Sequence, residues 1–183
     1  MRIITGKARG LRLIPPKDYR VRPTADRVKE ALFSILGARV QGARVLDTFA
    51  GTGNLGLEAW SRGAAKITFL DLSAASLKLV TDNVAKARAQ EDATILKGDS
   101  LETMVRLSRA GESFDLIFSD PPYDKGLNQQ VVKRLVEHPL LRAGGLLVLE
   151  HSLLEDPLSY LPKELSCRTE KYGDTKISLI EWK

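Results

Sequence analysis

From residue 43 onwards, short apolar runs alternate with stretches in which apolar residues return every three or four positions. The runs are ARVLDTF, KITFLDL, ATILKGD, FDLIFSD and GLLVLEH. Between them, NLGLEAWSR, AASLKLVTDNVAKARA, LETMVRLSR and NQQVVKRLVE carry helical spacing. Several runs are almost continuously apolar, the pattern of strands covered by helices on both faces. The alternation predicts an α/β domain, doubly wound around a mostly parallel sheet. LSCRTEKY and KISLIEW, joined across GDT, add a terminal hairpin and bring the sheet to seven strands.

The first residues follow a different pattern. RIITG and LRLIP read as two short strands joined by KARG, and Pro15 and Pro16 break off the second. A helix is expected from Thr24, with Thr24 as N-cap, Asp26 in its first turn and Gly37 at its end. Val28, Leu32, Ile35 and Leu36 give it one apolar face. The expected organisation is a basic hairpin and connector over residues 1–23 and a main domain over 24–183, with no repeat or low-complexity segment.

Composition narrows the class. A chain of 183 residues fits one domain that buries about 70% of its unfolded surface. The one cysteine, Cys167, cannot form an internal disulfide, and no Cys/His group has metal-ligand spacing, so no metal is expected. Nothing approaches the roughly 18 apolar residues of a membrane span, and the start MRIITGKARG lacks the apolar run of a signal peptide. A cytoplasmic protein is expected, a monomer by default for this size. Charge is uneven: residues 1–44 carry 11 Lys/Arg against 3 Asp/Glu, and the remainder 17 against 20. A basic N-terminal segment on a mildly acidic body suggests docking to a polyanion.

The candidate chemistry gathers where strands end. DTFAGTGNLGLEA follows the first strand of the alternation and holds Gly51-x-Gly53-x-x-Gly56 at the start of a helix. Such glycines let a ligand approach the backbone and the free amides of a helix N-terminus. Asp71 lies 20 residues beyond Gly51, where a carboxylate can take a ribose diol. Glycines alone would suit NAD. Asp47, however, ends the first strand, where it would repel a pyrophosphate but attract an ammonium. Asp99 closes the third run, placed to accept from an adenine amine. The three aspartates line the carboxyl edge of the sheet, where open α/β folds bind ligands. S-adenosylmethionine fits them, being cationic, with an ammonium, a ribose and an adenine and no phosphate.

The fourth run ends in Asp120-Pro121-Pro122-Tyr123. Two prolines surrender two backbone donors and fix two φ angles, so this tetrapeptide is stiff and extended. An exocyclic amine on a nucleobase is a poor nucleophile, because its lone pair is delocalised into the ring. Acceptors aimed at its nitrogen stabilise the positive charge that develops on attack. The Asp120 carboxylate and the Pro121 carbonyl can supply them, and Tyr123 can stack on an extruded base. His151 and the tryptophans Trp60 and Trp182 read as structural residues.

These stretches carry a resemblance. The DPPY box and the DTFAGTGNLGLEA turn resemble the class I S-adenosylmethionine-dependent amino-methyltransferases, a Rossmann-like fold. RIITGKARGLRL, RPTADRVKEALFSIL and DTFAGTGNLGLEAWSR are similar, more narrowly, to the RsmD family of bacterial 16S rRNA guanine-N2 methyltransferases. That resemblance implies methyl transfer to a guanine N2 amine of 16S rRNA, free or in the assembled small subunit, leaving S-adenosylhomocysteine. It implies Asp47, Phe49, Gly51 and Gly53 at the methionine side of the donor, Asp71 at its ribose, and Asp99 with Ser100 at its adenine. Asp120, Pro121 and Tyr123 would hold the target amine. Arg2, Lys7, Arg9, Arg12, Arg22, Thr24 and Arg27 would contact RNA. Lys29 stands where the family pattern usually has arginine, and lysine cannot copy a bidentate arginine contact.

An adenine-N6 DNA methyltransferase shares the DPPY box but usually needs a recognition domain for which 183 residues leave little room. Protein glutamine methylation uses a box with Asn in place of Asp120. A NAD-dependent oxidoreductase would leave Asp47 and the box unexplained, and a non-catalytic RNA-binding protein would leave the aspartates at four strand ends unexplained.

Overall fold

The computed structural model describes residues 1–17, 23–123 and 125–183, with the side chains of 23–25 left aside. Five strands run parallel: β1 (Arg44–Asp47), β2 (Lys66–Asp71), β3 (Ala93–Lys97), β4 (Phe114–Ser119) and β5 (Leu141–Ser152). β6 (Ser166–Tyr172) and β7 (Thr175–Glu181) form the terminal hairpin, and β7 adds antiparallel to β5. The sheet order is β3-β2-β1-β4-β5-β7-β6. The helices are α1 (Pro23–Leu36), α2 (Asn54–Ser61), α3 (Ala74–Ala87), α4 (Ser100–Arg109) and α5 (Leu127–Glu137).

The apolar runs are continuous because alternate residues feed two cores. Val45, Phe69, Leu116, Phe118 and Val148 pack with Leu32, Phe33, Leu57, Val80 and Val84 of α1, α2 and α3. Their chain neighbours Leu46, Leu70, Ile117, Leu147 and Leu149 pack with Met104, Val131 and Leu135 of α4 and α5. A period of two along the strands thus assigns each side chain to one helical layer. The same alternation, continued past the last apolar residues, carries Asp47, Asp120 and Glu150 to the α1 side, at the carboxyl ends of the adjacent strands β1, β4 and β5.

The N-terminal segment keeps the expected antiparallel pairing only in short form. It has one antiparallel bridge, Arg2 to Arg12, with Ile3 N donating to Leu11 O and Leu13 N to Met1 O, while the amides of Ile4, Thr5, Lys7 and Ala8 bond to α2. Ile4 N and Thr5 N donate to the Glu58 carboxylate at 2.8 and 3.1 Å, and Lys7 N donates to Ser61 O at 2.8 Å. Gly6, at φ +92°, lies so close that a Cβ would stand 1.9 Å from Ser61 O. The amides of Ile4, Thr5, Lys7 and Ala8 thus take partners in the last turn of α2 rather than in a strand. Glu58 is fully buried and also accepts from Arg62 Nε at 2.7 Å and pairs with Lys29 Nζ at 3.0 Å.

Candidate active site

β1 delivers Asp47 to the sheet edge and the chain then turns sharply into α2. Gly51 (φ +57°) and Gly53 (φ +80°) take the left-handed conformations that the turn needs. A Cβ on Gly51 would project into open space, so the turn leaves room for a ligand against its backbone. At Gly56 a Cβ would fall 2.4 Å from the Phe69 ring, so this third glycine serves helix–strand packing. The acids of the edge also hold the turn. Asp47 Oδ2 accepts from Gly56 N at 3.2 Å, and Asp71 accepts from Gly51 N at 2.9 Å and Ser73 N at 2.8 Å.

A cavity of about 680 Å³ opens beside this turn. Asp47, Phe49, Gly51, Asp120 and Tyr123 line it together, joined by Lys29, Asn54, Glu150 and Thr175. Gly53, Asp71, Asp99, Ser100 and Pro121 are not in its wall. Asp71 stays adjacent through Gly51. Asp99 lies beyond β3, which ends at Lys97, and is an exposed N-cap of α4 whose carboxylate accepts from Glu102 N at 3.0 Å. Ser100 is buried and donates to Thr48 O. Asp99 thus caps α4, and Ser100 ties the start of α4 to the chain just after β1.

Burial dominates the electrostatics. Asp47 is 2% exposed, and desolvation lifts its carboxyl to about 7. The backbone donors of Gly56 and Phe49 oppose that rise, and the charge of Asp71 adds to it. Asp120 and Glu150 are also pushed up by desolvation, and Asp120 further by Glu150 and Asp47. Such a wall repels phosphate and suits a ligand bearing positive charge or N–H donors. Tyr123 keeps its phenolic proton, its pKa pushed up to about 12 mainly by burial. Its hydroxyl donates to Glu150 Oε1 at 3.2 Å and lies 3.0 Å from Thr175 Oγ1.

Sequence reasoning missed three of these residues. Glu150 hid at the end of an apolar run. Asn128 is a buried polar residue in the first turn of α5. It accepts from Ser119 Oγ at 2.8 Å and donates to Glu150 O at 3.0 Å, tying the ends of β4 and β5 together. Lys29 is 2% exposed and donates to Arg2 O (2.6 Å) and Asn54 Oδ1 (2.7 Å) besides its pair with Glu58. Only Glu58's position in the helical pattern, a charge on the buried face of α2, signalled that pairing.

His151 is buried and neutral, its pKa lowered by desolvation, with Nε2 2.8 Å from Ser178 Oγ. Trp60 is buried, with Nε1 donating to Asp92 at 3.0 Å. Of the basic residues, Arg2, Lys7, Arg9, Arg12 and Arg27 are exposed. Arg2 meets Asp26 at 3.5 Å, and Lys7 Nζ sits 3.8 Å over the Trp60 ring. Arg22 and the side chain of Thr24 lie outside the described residues. No group of three His, Cys, Asp or Glu that could hold a metal ion occurs among the described residues, nor is any helix among them long and apolar enough to cross a membrane.

Comparison with known proteins bears on the family and the fold. The family described as conserved hypothetical protein 95 matches residues 1–181. The ribosomal RNA small subunit methyltransferase D of Escherichia coli K12 is 34% identical over 171 residues, 93% of this chain and 84% of that one. Its Haemophilus influenzae counterpart is 36% identical over 151 residues, 82% and 78% of the two chains. Among solved structures, a hypothetical protein of Thermus thermophilus superposes with TM-score 0.82 at 31% identity, covering 98% of both chains. The T. thermophilus 16S rRNA N2 guanine methyltransferase RsmC, complexed with AdoMet and guanosine, gives TM-score 0.72 at 25% identity, covering 91% of this chain and 45% of that one. With the family matched from residue 1 to 181, the chain belongs to the conserved hypothetical protein 95 family, the group that the RsmD-like motifs had indicated.

Proposed function

We propose that this protein transfers a methyl group from S-adenosylmethionine to the N2 amine of a guanine in 16S rRNA. One observation carries the reading: Asp47, Asp120 and Glu150 converge on a cavity whose wall also includes the glycine turn and Tyr123. The acid-lined edge fits the donor and disfavours a dinucleotide. Asp47 would hold its ammonium, Gly51 and Gly53 would admit it against the backbone, Asp71 would take its ribose, and Asp99 with Ser100 its adenine. When bound, the donor supplies an electrophilic methyl group on a sulfonium.

The protein's own part is positioning and charge. The Asp120 carboxylate, with the Pro121 carbonyl beside it, accepts from the target amine and stabilises the positive charge that grows on nitrogen. After transfer that nitrogen loses one proton, and the raised affinity of Asp120 for protons makes it a fitting acceptor. Tyr123, 41% exposed at the mouth, offers a ring face to a base turned out of its stack. The exposed Arg2, Lys7, Arg9, Arg12 and Arg27, with Arg22 and Thr24, would contact rRNA. The relatives named for small-subunit rRNA methylation support RNA over DNA as substrate.

The test is transfer of labelled methyl from S-adenosylmethionine to 16S rRNA, assembled small subunits and duplex DNA in parallel. Label is expected in rRNA or subunits and is lost in Asp120→Ala. Label confined to DNA would overturn the reading.

A further inference from the structure

Glu150 shares the cavity wall with Asp47 and Asp120 and holds Tyr123, yet neither the donor nor the reacting amine occupies its carboxylate in the proposed transfer. Ser119 of β4 pairs with Leu149 of β5. Asp120 and Glu150 follow as neighbours one residue further along, on strands about 4.8 Å apart. Both line the cavity. Tyr123 Oη occupies Glu150 Oε1, whereas Oε2 has no hydrogen-bond partner among the described residues. The Asp120 carboxylate likewise makes no hydrogen bond among the described residues, and both acids are part-exposed to the cavity rather than sealed. Two adjacent acceptors with open valences on one cavity wall suit a ligand that brings N–H donors.

The purines differ in this respect. Guanine presents N1–H next to its N2 amine, a continuous row of donors. Adenine presents its N6 amine next to a bare N1 lone pair. An acceptor placed beside the one that holds the amine therefore gains a bond with guanine and opposes a lone pair with adenine. We infer that Glu150 selects guanine, accepting the N1–H through Oε2 while Asp120 accepts from the reacting amine. The inference rests on the guanine-N2 reading above and assigns its base selectivity to one residue. The surrounding bonds suit such a role. The Tyr123 hydroxyl, itself 3.0 Å from Thr175 Oγ1, holds the first oxygen, and Asn128 Nδ2 donates to the Glu150 backbone carbonyl at 3.0 Å. The carboxylate is thereby turned rather than left to rotate.

The experiment replaces the methylated guanine, once mapped, by 2-aminopurine in the same RNA. This base keeps the 2-amine but has an unprotonated N1. Wild type is expected to methylate guanine at least about tenfold more efficiently, by kcat/KM, than 2-aminopurine. Glu150→Gln can turn its amide to donate to N1, so it is expected to lose activity on guanine and to shrink or reverse that ratio. Tyr123→Phe, which loses the bond to Glu150 but leaves the carboxylate, is expected to retain the preference. S-adenosylhomocysteine binding by calorimetry, unchanged in Glu150→Gln, would show that the variant is folded. Equal efficiency on both bases in wild type, or an equal fall on both in Glu150→Gln, would overturn the inference while leaving guanine methylation in place. Absence of any guanine methylation by wild type would overturn both readings together.

Discussion

Asp47 enters the folded state as a nearly sealed acid, which separates its part in binding from its part in stability. Its carboxyl titrates near 3.8 when exposed and near 7 in the fold. A raised folded value means that the native state holds the proton more tightly than the unfolded chain. The stabilisation from that proton is present below pH 3.8 and is lost as pH rises through about 7. Asp47→Asn, which keeps an acceptor for Gly56 N, is therefore expected to unfold at a higher temperature than wild type at pH 8. The gain is up to about 4 kcal/mol from a shift of this size. The difference should vanish near pH 4, and thermal melts at both values check it. The same variant is expected to lose S-adenosylhomocysteine binding in calorimetry, since a neutral amide cannot pair with an ammonium. At the other end of the cavity, Tyr123→Phe removes one hydroxyl bonded to two side chains. A loss of about two- to tenfold in kcat/KM is expected from bonds of this kind, with the fold intact.

At the scale of elements, the helix α2 joins two functions. Its N-terminus closes the glycine turn, and its C-terminal turn clamps the basic N-terminal segment through Glu58 and Ser61. Glu58→Ala leaves Lys29 buried without its carboxylate, and a buried pair broken on one side typically costs about 3–5 kcal/mol. Chemical denaturation should show a loss of that order. The strand–helix alternation was legible in the sequence because the two-residue and helical periods differ and each element buries a face. The placement of Asp47 and Asp120 on one cavity wall was legible because acids at strand ends stand out against apolar runs, whereas Asp99, beyond the end of β3, caps α4 instead. Glu150, Asn128 and the Lys29–Glu58 pair were not, because their meaning depends on contacts between segments that periodicity does not connect. The N-terminal strands are shorter than their alternation suggests for a related reason: Ile3 and Leu13 pack into the core and pair across the turn, while the amides of Ile4, Thr5, Lys7 and Ala8 turn to a helix.

The whole molecule is polar in its distribution of charge. An acidic cavity sits at the carboxyl edge, and the basic N-terminal turn is anchored to α2, one end of which closes that same edge. An RNA whose phosphates meet the turn could present one base to the cavity. Arg9→Glu with Arg12→Glu is expected to weaken rRNA binding and to flatten its dependence on salt, by roughly 0.7–0.9 in log–log slope for each phosphate no longer neutralised. S-adenosylhomocysteine affinity should not change, and filter binding over a salt series alongside calorimetry separates the two. The central claim, that this cavity methylates the N2 amine of guanine, is tested most directly by the chemical identity of the product. Small-subunit rRNA methylated by the wild-type protein should be digested to nucleosides and resolved by mass spectrometry. N2-methylguanosine as the one new nucleoside, absent with Asp120→Ala, is the predicted result. N6-methyladenosine, or a methyl group on any other atom, would contradict it.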